Sequence, residues 1–300
     1  MTDANDPSAD LTGRCALVTG ANTGIGLATA KGLAARGATL ILHGRDRAKL
    51  DRAMAAIAAV RPVAMRRLVA DFTDLGDVAR LAGEVKACAP RLDELVNNAG
   101  VIRDRLEFTA DGYETTFQVN HLAPFLLTNL LLDALDAAPL GRIVNVASGA
   151  HGSVKGVPLD DVAAPRRYRT LDAYARAKGC NILFNRELAR RLDDRPVATW
   201  AMHPGVVASD FGADGDVRGP LRWTLRLFRP AMRTPEHGAD SAVWLAATAA
   251  PPPSGAYVID RREARPRAWA RDDATARELW ALSERLVAPH LGGTAAEGAA

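Results

Sequence analysis

Cysteine is scarce in this chain of 300 residues: only Cys15, Cys88 and Cys180, an odd number at wide spacing, each within an apolar or helical pattern. Such a set builds neither a disulfide framework nor a metal site, and no metal is expected. Long apolar runs are missing as well. No window reaches the roughly 18 uncharged apolar residues that a membrane span requires. The leader Met1–Asp10 is polar and acidic, where a secretory signal would be basic and then apolar. No membrane span is expected, and the cytoplasm is the expected location. Excess charge of one sign is small: 38 basic against 35 acidic residues leave a formal +3, and even the arginine-rich stretch 261–267 contains Glu263. A mixed-sign surface is ordinarily a solvated one, so no nucleic-acid partner is expected.

What the chain has is apolar material, 48% hydrophobic against 24% charged residues, enough for a substantial core in one large α/β domain. Short β-type runs at 15–19, 38–43, 63–70, 92–97, 141–148, 197–202 and 255–260 alternate with longer Ala- and Leu-rich segments. Strand then helix, repeated, implies parallel neighbours joined by crossovers and covered on both faces. The expected fold is α/β, a doubly wound Rossmann sheet, mostly parallel and seven-stranded, in a single domain. Its ligand site should lie beyond the carboxyl ends of the strands. Residues 1–10 read as a disordered lead-in, 11–288 as the domain and 289–300 as a flexible tail. No internal repeat is visible. Between Gly205 and Pro235, Gly, Pro, Trp and Arg mix without periodicity, which reads as an insertion after a strand, a lid over about 206–234. Its Phe211, Leu221, Trp223, Leu225, Leu227 and Phe228 favour an apolar substrate. Leu279, Leu282 and Leu286 fall at helical spacing, predicting a terminal helix over 273–288 that packs back on the body.

The first strand runs into Gly20, Gly24 and Gly26 and then an Ala-rich helical segment. Glycines at such a turn allow positive φ and close approach of backbone to a pyrophosphate, which sits on the free N–H groups of the helix start. A glycine-rich turn alone is weak, but here it has a strand before it and a helix after it. The nucleotide is read at the end of the second strand, where an acid would hold the ribose hydroxyls of NAD. This chain has His43-Gly44-Arg45 there, and a guanidinium suits a 2′-phosphate. NADP(H) is thus favoured over NAD(H). Asp46 follows at once and reads as the N-cap of a helix over 47–59.

Hydride transfer to a carbonyl leaves an alkoxide unless a proton arrives with it, so the site needs an acid beside the cofactor. Tyr174 and Lys178 stand four apart on a predicted helix and share a face. Making a phenol useful near neutral pH takes a shift of about 3 units, or about 4 kcal/mol, from a neighbouring cation aided by an oxidised nicotinamide. Tyr-x-x-x-Lys is common by chance, but this one follows the fifth strand, which ends at Ser148 with a hydroxyl placed to hold the substrate oxygen. His151 and His203 have no partner at ligand spacing and read as packing or surface residues.

The turn spacing, with Thr19–Gly26 matching Thr-Gly-x-x-x-Gly-Ile-Gly, resembles the short-chain dehydrogenase/reductase family. The likeness covers residues 11–288 with motifs in the family's order. Stretches 19–30, 119–128, 142–151, 233–239 and 263–266 are similar to its retinol-dehydrogenase and WW-domain-oxidoreductase branch. The resemblance implies a cofactor site of Gly20, Asn22, Thr23, Gly24, Ile25 and Gly26 at the turn, Arg45, Asp71 and Phe72 at the adenosine end, and Asn98, Ala99 and Gly100 after the fourth strand. It adds Pro204, Gly205, Val207 and Ser209 at the nicotinamide end, and Tyr174 and Lys178 themselves. It also implies a catalytic tetrad of Asn120, Ser148, Tyr174 and Lys178, with Asn120 holding a water in a proton relay. Ala147 and Ala177 depart from the family's usual serines. The implied activity is NADP(H)-dependent interconversion of an alcohol and an aldehyde or ketone, with a small-molecule partner. Many members pair through two helices flanking the sheet, so a homo-oligomer is open. A non-catalytic NADP(H)-binding sensor or scaffold typically lacks the tyrosine or the lysine. A sugar-nucleotide epimerase or dehydratase usually has a Gly-x-x-Gly-x-x-Gly turn and a larger C-terminal substrate domain.

Overall fold

Alternate residues of the same strand go to opposite cores. Leu17, Ile41, Leu95 and Ile143 enter one, while Ala16, Val18, Leu40, Leu42, Val96 and Val144 enter the other. Strands buried on both faces need helices on both, and the computed structural model, which describes residues 10–207 and 233–291, has them. The strands are β1 (Cys15–Val18), β2 (Thr39–Gly44), β3 (Met65–Val69), β4 (Glu94–Asn97), β5 (Gly141–Val146), β6 (Val197–His203), β7 (Tyr257–Ile259) and β8 (Arg262–Ala264), in the order β3-β2-β1-β4-β5-β6-β7-β8. All pair in parallel except β7 with β8. Helices α1 (Gly24–Ala35), α2 (Arg47–Ala58) and α7 (Pro235–Ala247) cover one face. On the other face lie α3 (Leu75–Cys88), α5 (Ala123–Asp136) and α6 (Thr170–Arg191), with α4 (Thr115–Phe117) leading through a π-turn, Gln118–Leu122, into α5.

The eighth strand corrects the seven-strand expectation. Asp260 and Arg261 turn the chain back with φ of 50° and 59°, a left-handed conformation without glycine. Each such residue costs on the order of 1 kcal/mol. The surroundings hold the turn: Arg261 N–H donates to Ser241 Oγ at 3.0 Å, the Arg261 guanidinium pairs with Asp240, and Asp260 pairs with Arg233.

Helix α8 (Asp273–Leu291) crosses the outside of α5 and α6. Trp280 meets Phe125 edge-on with centroids 4.9 Å apart and stacks on Phe184 at 5.8 Å. It runs past the expected boundary at residue 288 to Leu291, with Pro289 inside its last turn. The lead-in up to Ala9, the insertion over 208–232 with its apolar residues, and the tail from Gly292 lie outside the described residues. Among the described residues no helix is long and apolar enough to cross a membrane.

One strand residue makes stability depend on pH. Glu94 is 1% exposed and pairs in register with Arg142; its Oε1 lies 3.4 Å from Arg14, and its Oε2 has no partner among the described residues. Burial, helped by Asp93, pushes its carboxyl up to about 8. Between the unfolded value near 4.5 and about 8, the folded chain keeps a proton that the unfolded chain releases, so stability falls as pH rises through that window. Glu94→Gln is expected to raise Tm at about pH 8 by about 5 °C, with the gain vanishing toward about pH 5. Thermal melts across that range check it, and a gain that does not change with pH would refute it.

Candidate active site

The turn after β1 is built for close approach. Gly20 and Gly24 have φ of 63° and 54°, and a β-carbon on Gly26 would fall 2.2 Å from Gly20 O and 2.5 Å from Asn98 Nδ2. Thr23 stands at the N-cap of α1 with extended backbone (φ −153°, ψ 172°) and makes no side-chain cap bond, and the first turn carries no acid. Asp46 and Asp74 cap α2 and α3 with their own carboxylates. The start of α1 therefore keeps its N–H groups for a ligand, as a phosphate site requires. Asn22, Thr23 and Ile25 lie in this turn, with Asn22 Oδ1 leaning over Gly44, 3.3 Å from where its β-carbon would be.

Two sets of bonds hold the turn in place. Asn98 Nδ2 donates to Thr19 O at 2.8 Å and Gly20 O at 3.3 Å, while the Asn98 and Ala99 N–H groups donate to Thr19 Oγ1 at 2.9 and 3.0 Å. From the other side His43, 2% exposed, accepts from Gly20 N–H at Nδ1 (3.4 Å) and lies with Nε2 3.0 Å from Ala70 O. One neutral tautomer satisfies both contacts, and burial lowers the ring to about 4. Its role escaped the sequence reading, which used His43 only to locate Arg45. The Phe72 ring is buried and stacks on His43 with centroids 4.4 Å apart, so its side chain supports that histidine.

Arg45 stands exposed at the end of β2. Asp46, the competing acid, is engaged as the cap of α2, accepting from Lys49 N–H at 2.9 Å. Asp71 follows β3; its Oδ1 accepts from Thr73 N–H at 2.9 Å, and its own N–H donates to the Asp77 carboxylate at 2.6 Å. The cap of α3 belongs to Asp74 and is not shared with Asp71.

At the other end of the cleft, α6 carries Tyr174 and Lys178 on one face, with Nζ 5.9 Å from the ring centroid. The Tyr174 phenol hydrogen-bonds Ser148, whose Oγ also accepts from Ala150 N–H at 3.1 Å. Lys178, 3% exposed, donates to Val146 O at 2.9 Å, and burial draws its ammonium down to about 8. Burial pushes the phenol up to about 12, with the Ser148 bond acting against it. In the protein itself the ammonium is directed to the Val146 carbonyl and desolvation holds the phenol neutral; the oxidised nicotinamide is the further positive charge that the expected shift calls on.

Asn120 sits on the π-turn, fully buried, its Nδ2 donating to Val101 O at 2.8 Å and Thr116 O at 2.7 Å. Both donors are thus committed, and Oδ1 has no partner among the described residues. That oxygen and Lys178 Nζ converge over Gly100, 2.5 and 3.3 Å from where its β-carbon would stand. Beneath, Asn97 Nδ2 donates to Thr128 Oγ1 and Asn145 Oδ1, both at 2.9 Å, and Asn145 Nδ2 donates to Asn185 and Thr199 at 3.2 Å. This buried lattice locks β4, β5 and β6 in register below the cleft.

His151 and His203 pack the loop after β5. His151 Nδ1 lies 2.7 Å from Ser148 O and its Nε2 accepts from Arg267 N–H at 3.3 Å; His203 Nδ1 accepts from Gly149 N–H at 3.0 Å. Pro204 and Gly205 follow β6, Gly205 with φ of 82°, and Val207 pairs with Arg233 across the base of the insertion. Ser209 lies outside the described residues. Gly179 lets Trp269 lie against α6 beside Lys178: a β-carbon there would meet the indole at 2.0 Å.

Known proteins resemble this chain in sequence and in fold. The model of the family described as short chain dehydrogenase matches residues 14–216. The chain is 40% identical over 281 residues to human retinol dehydrogenase 12, covering 92% of this chain and 87% of that one. Among solved structures, an uncharacterized protein from Mycobacterium paratuberculosis superposes with a TM-score of 0.75 at 32% identity, covering 93% of this chain and 95% of its own. A 3-oxoacyl (acyl-carrier-protein) reductase from Agrobacterium tumefaciens C58 with NADP bound gives 0.64 at 27% identity, covering 79% and 89%. With likeness of this extent in both sequence and structure, the chain belongs to the short-chain dehydrogenase/reductase family, on its retinol dehydrogenase branch, and is an oxidoreductase acting on CH–OH or carbonyl groups.

Proposed function

We propose that this protein interconverts an apolar alcohol with its aldehyde or ketone, using NADP(H) and Tyr174 as the general acid and base. The observation that carries this reading is the meeting of Ser148 and Tyr174 across the end of β5, with Lys178 one turn behind and fixed to Val146 O. Gly20, Gly24 and Gly26, with the uncapped start of α1, would hold the pyrophosphate; Arg45 would hold a 2′-phosphate. When bound, the nicotinamide supplies or accepts the hydride, and its oxidised ring brings a positive charge to the phenol. Ser148 and Tyr174 bind the substrate oxygen between two hydroxyls, and Tyr174 passes its proton to that oxygen as the alkoxide forms. Lys178 holds positive charge behind the phenol. Asn120 Oδ1, buried and facing the same point above Gly100, accepts from a water that returns the proton through Lys178.

The apolar substrate class is supported by two large hydrophobic residues exposed on segments that carry site residues. Leu171 is 57% exposed one turn before Tyr174 on α6, and Val206 is 67% exposed after the Pro204-Gly205 turn. The test is titration with NADPH and NADH, followed by a panel of apolar and polar carbonyl compounds read by nicotinamide absorbance. NADPH binding with turnover of apolar members supports the reading, and binding without turnover would replace it with a nucleotide sensor.

The NADP(H) preference rests on Arg45, exposed at the end of β2, and on Asp46 being engaged as a helix cap and so withheld from the ribose hydroxyls. Arg45→Asp is expected to lower kcat/KM for NADPH by about 100-fold relative to NADH. An unchanged ratio in steady-state assays removes Arg45 from the 2′-phosphate site.

A further inference from the structure

Behind the site, a histidine that the mechanism above does not use lies between the C-terminal helix and the catalytic lysine. His121 follows Asn120 on the π-turn, 1% exposed among the rings of Phe117, Phe125 and Phe184. Its Nε2 is 2.9 Å from Ser283 Oγ on α8. Its Nδ1 and the Oδ1 of Asn181 are both buried and neither has a hydrogen-bond partner among the described residues, and the Asn181 carboxamide is the side chain whose field acts on the ring. Asn181 Nδ2 in turn donates to Val146 O at 3.4 Å, the carbonyl that receives Lys178 Nζ at 2.9 Å.

Burial lowers the imidazole to about 3, so the ring is neutral and has one proton to place. On Nδ1 that proton would be directed toward Asn181 Oδ1, so that each of two orphaned atoms gains the other as its partner. Ser283 Oγ donates to Leu279 O at 2.8 Å, and because that carbonyl also has a donor in its own helix, the hydroxyl can turn to donate to Nε2 in this tautomer. Ser283, His121, Asn181 and Val146 O thus lie in one buried line of polar groups from α8 to Lys178, with the His121–Asn181 step the one that the ring proton would close, and the same turn carries Asn120.

We propose that His121 is a positioning residue for the reaction: held by Ser283 of the C-terminal helix, it fixes Asn181 and the turn of Asn120, and so sets Lys178 and Asn120 relative to each other. This rests on the proposed roles of Lys178 and Asn120.

Two measurements on the full chain test it. The first does not depend on turnover: nitrogen-15 NMR of the histidine rings reads which nitrogen of His121 carries the proton. The Nδ1–H form is expected, shifting to Nε2–H in Asn181→Leu, and an Nε2–H ring in the unaltered protein overturns the proposed chain. The second is kinetic. His121→Phe keeps the ring packing and loses both polar contacts; kcat is expected to fall at least ~10-fold with NADPH affinity within twofold, because a misplaced catalytic group costs turnover and not cofactor binding. His121→Gln, which restores a donor and an acceptor, should recover part of the loss. Ser283→Ala should lower kcat by ~3-fold or more alone and add nothing to His121→Phe, since both break one chain. Effects that multiply, or a kcat within twofold in Ser283→Ala, overturn the proposal, and Ser283→Ala decides it if His121→Phe does not fold. Absence of turnover in the unaltered protein would count against the proposed function, while the ring measurement still judges the link.

Discussion

Tyr174→Phe is expected to lower turnover by about 10³-fold, within the range that a positioned proton donor supplies, while NADPH binding stays within about twofold. The substitution removes one oxygen and keeps the ring. That oxygen's hydrogen bond is to Ser148, at the substrate end of the cleft. Lys178 is anchored on Val146 O, and the phosphate turn is braced by Asn98 and His43, so no fixed point of the cofactor site depends on the phenol. Turnover read by nicotinamide absorbance, with binding read by fluorescence, separates the two quantities. Activity within tenfold of the unaltered protein would remove Tyr174 as the proton donor.

The second large effect concerns the turn. In Gly26→Ala the added carbon would lie 2.2 Å from Gly20 O and 2.8 Å from Gly20 C, and both of these atoms are backbone. No rotamer relieves that clash, so the turn itself must move, and with it the N–H groups at the start of α1. Gly20 cannot yield easily, because its own β-carbon position lies 3.0 Å from Ala99 Cα and it holds a φ of 63°. Dinucleotide affinity is expected to fall at least about 100-fold, with Tm lower by about 5 °C. Calorimetric titration and thermal melts measure both. Retained affinity would show that the cofactor does not approach the backbone at this turn.

The two substitutions differ in what the sequence could foretell. Tyr174 and Lys178 are four apart on one helix, so their meeting follows from helical geometry and was legible without tertiary structure. So were the first seven strands, most of them apolar runs buried on both faces, and the cap at Asp46. β8 was not legible: it is three residues long, two of them charged, and its turn at Asp260 and Arg261 has neither the glycine nor the asparagine that signals a hairpin. What closes that turn are Arg233, Asp240 and Ser241, residues about 20 to 30 positions away. The stacking of the Phe72 ring on His43 joins residues from two strand ends and is written in neither stretch alone.

The sequence by itself determined the class of fold, the glycine turn, the order of the site residues and the identity of the groups able to move a proton. Each of these is written in spacing along one element, over distances set by 3.6 residues per turn or by the alternation of a strand. Tertiary structure alone decided the electrostatic state of those groups and their supports: a phenol raised and an ammonium lowered by burial, Asn120 Oδ1 facing Lys178 over Gly100, His43 bracing the turn, and α8 reaching His121 through Ser283. These depend on how much water is excluded and on which atoms from distant segments share one carbonyl, and neither is a property of any local stretch of chain.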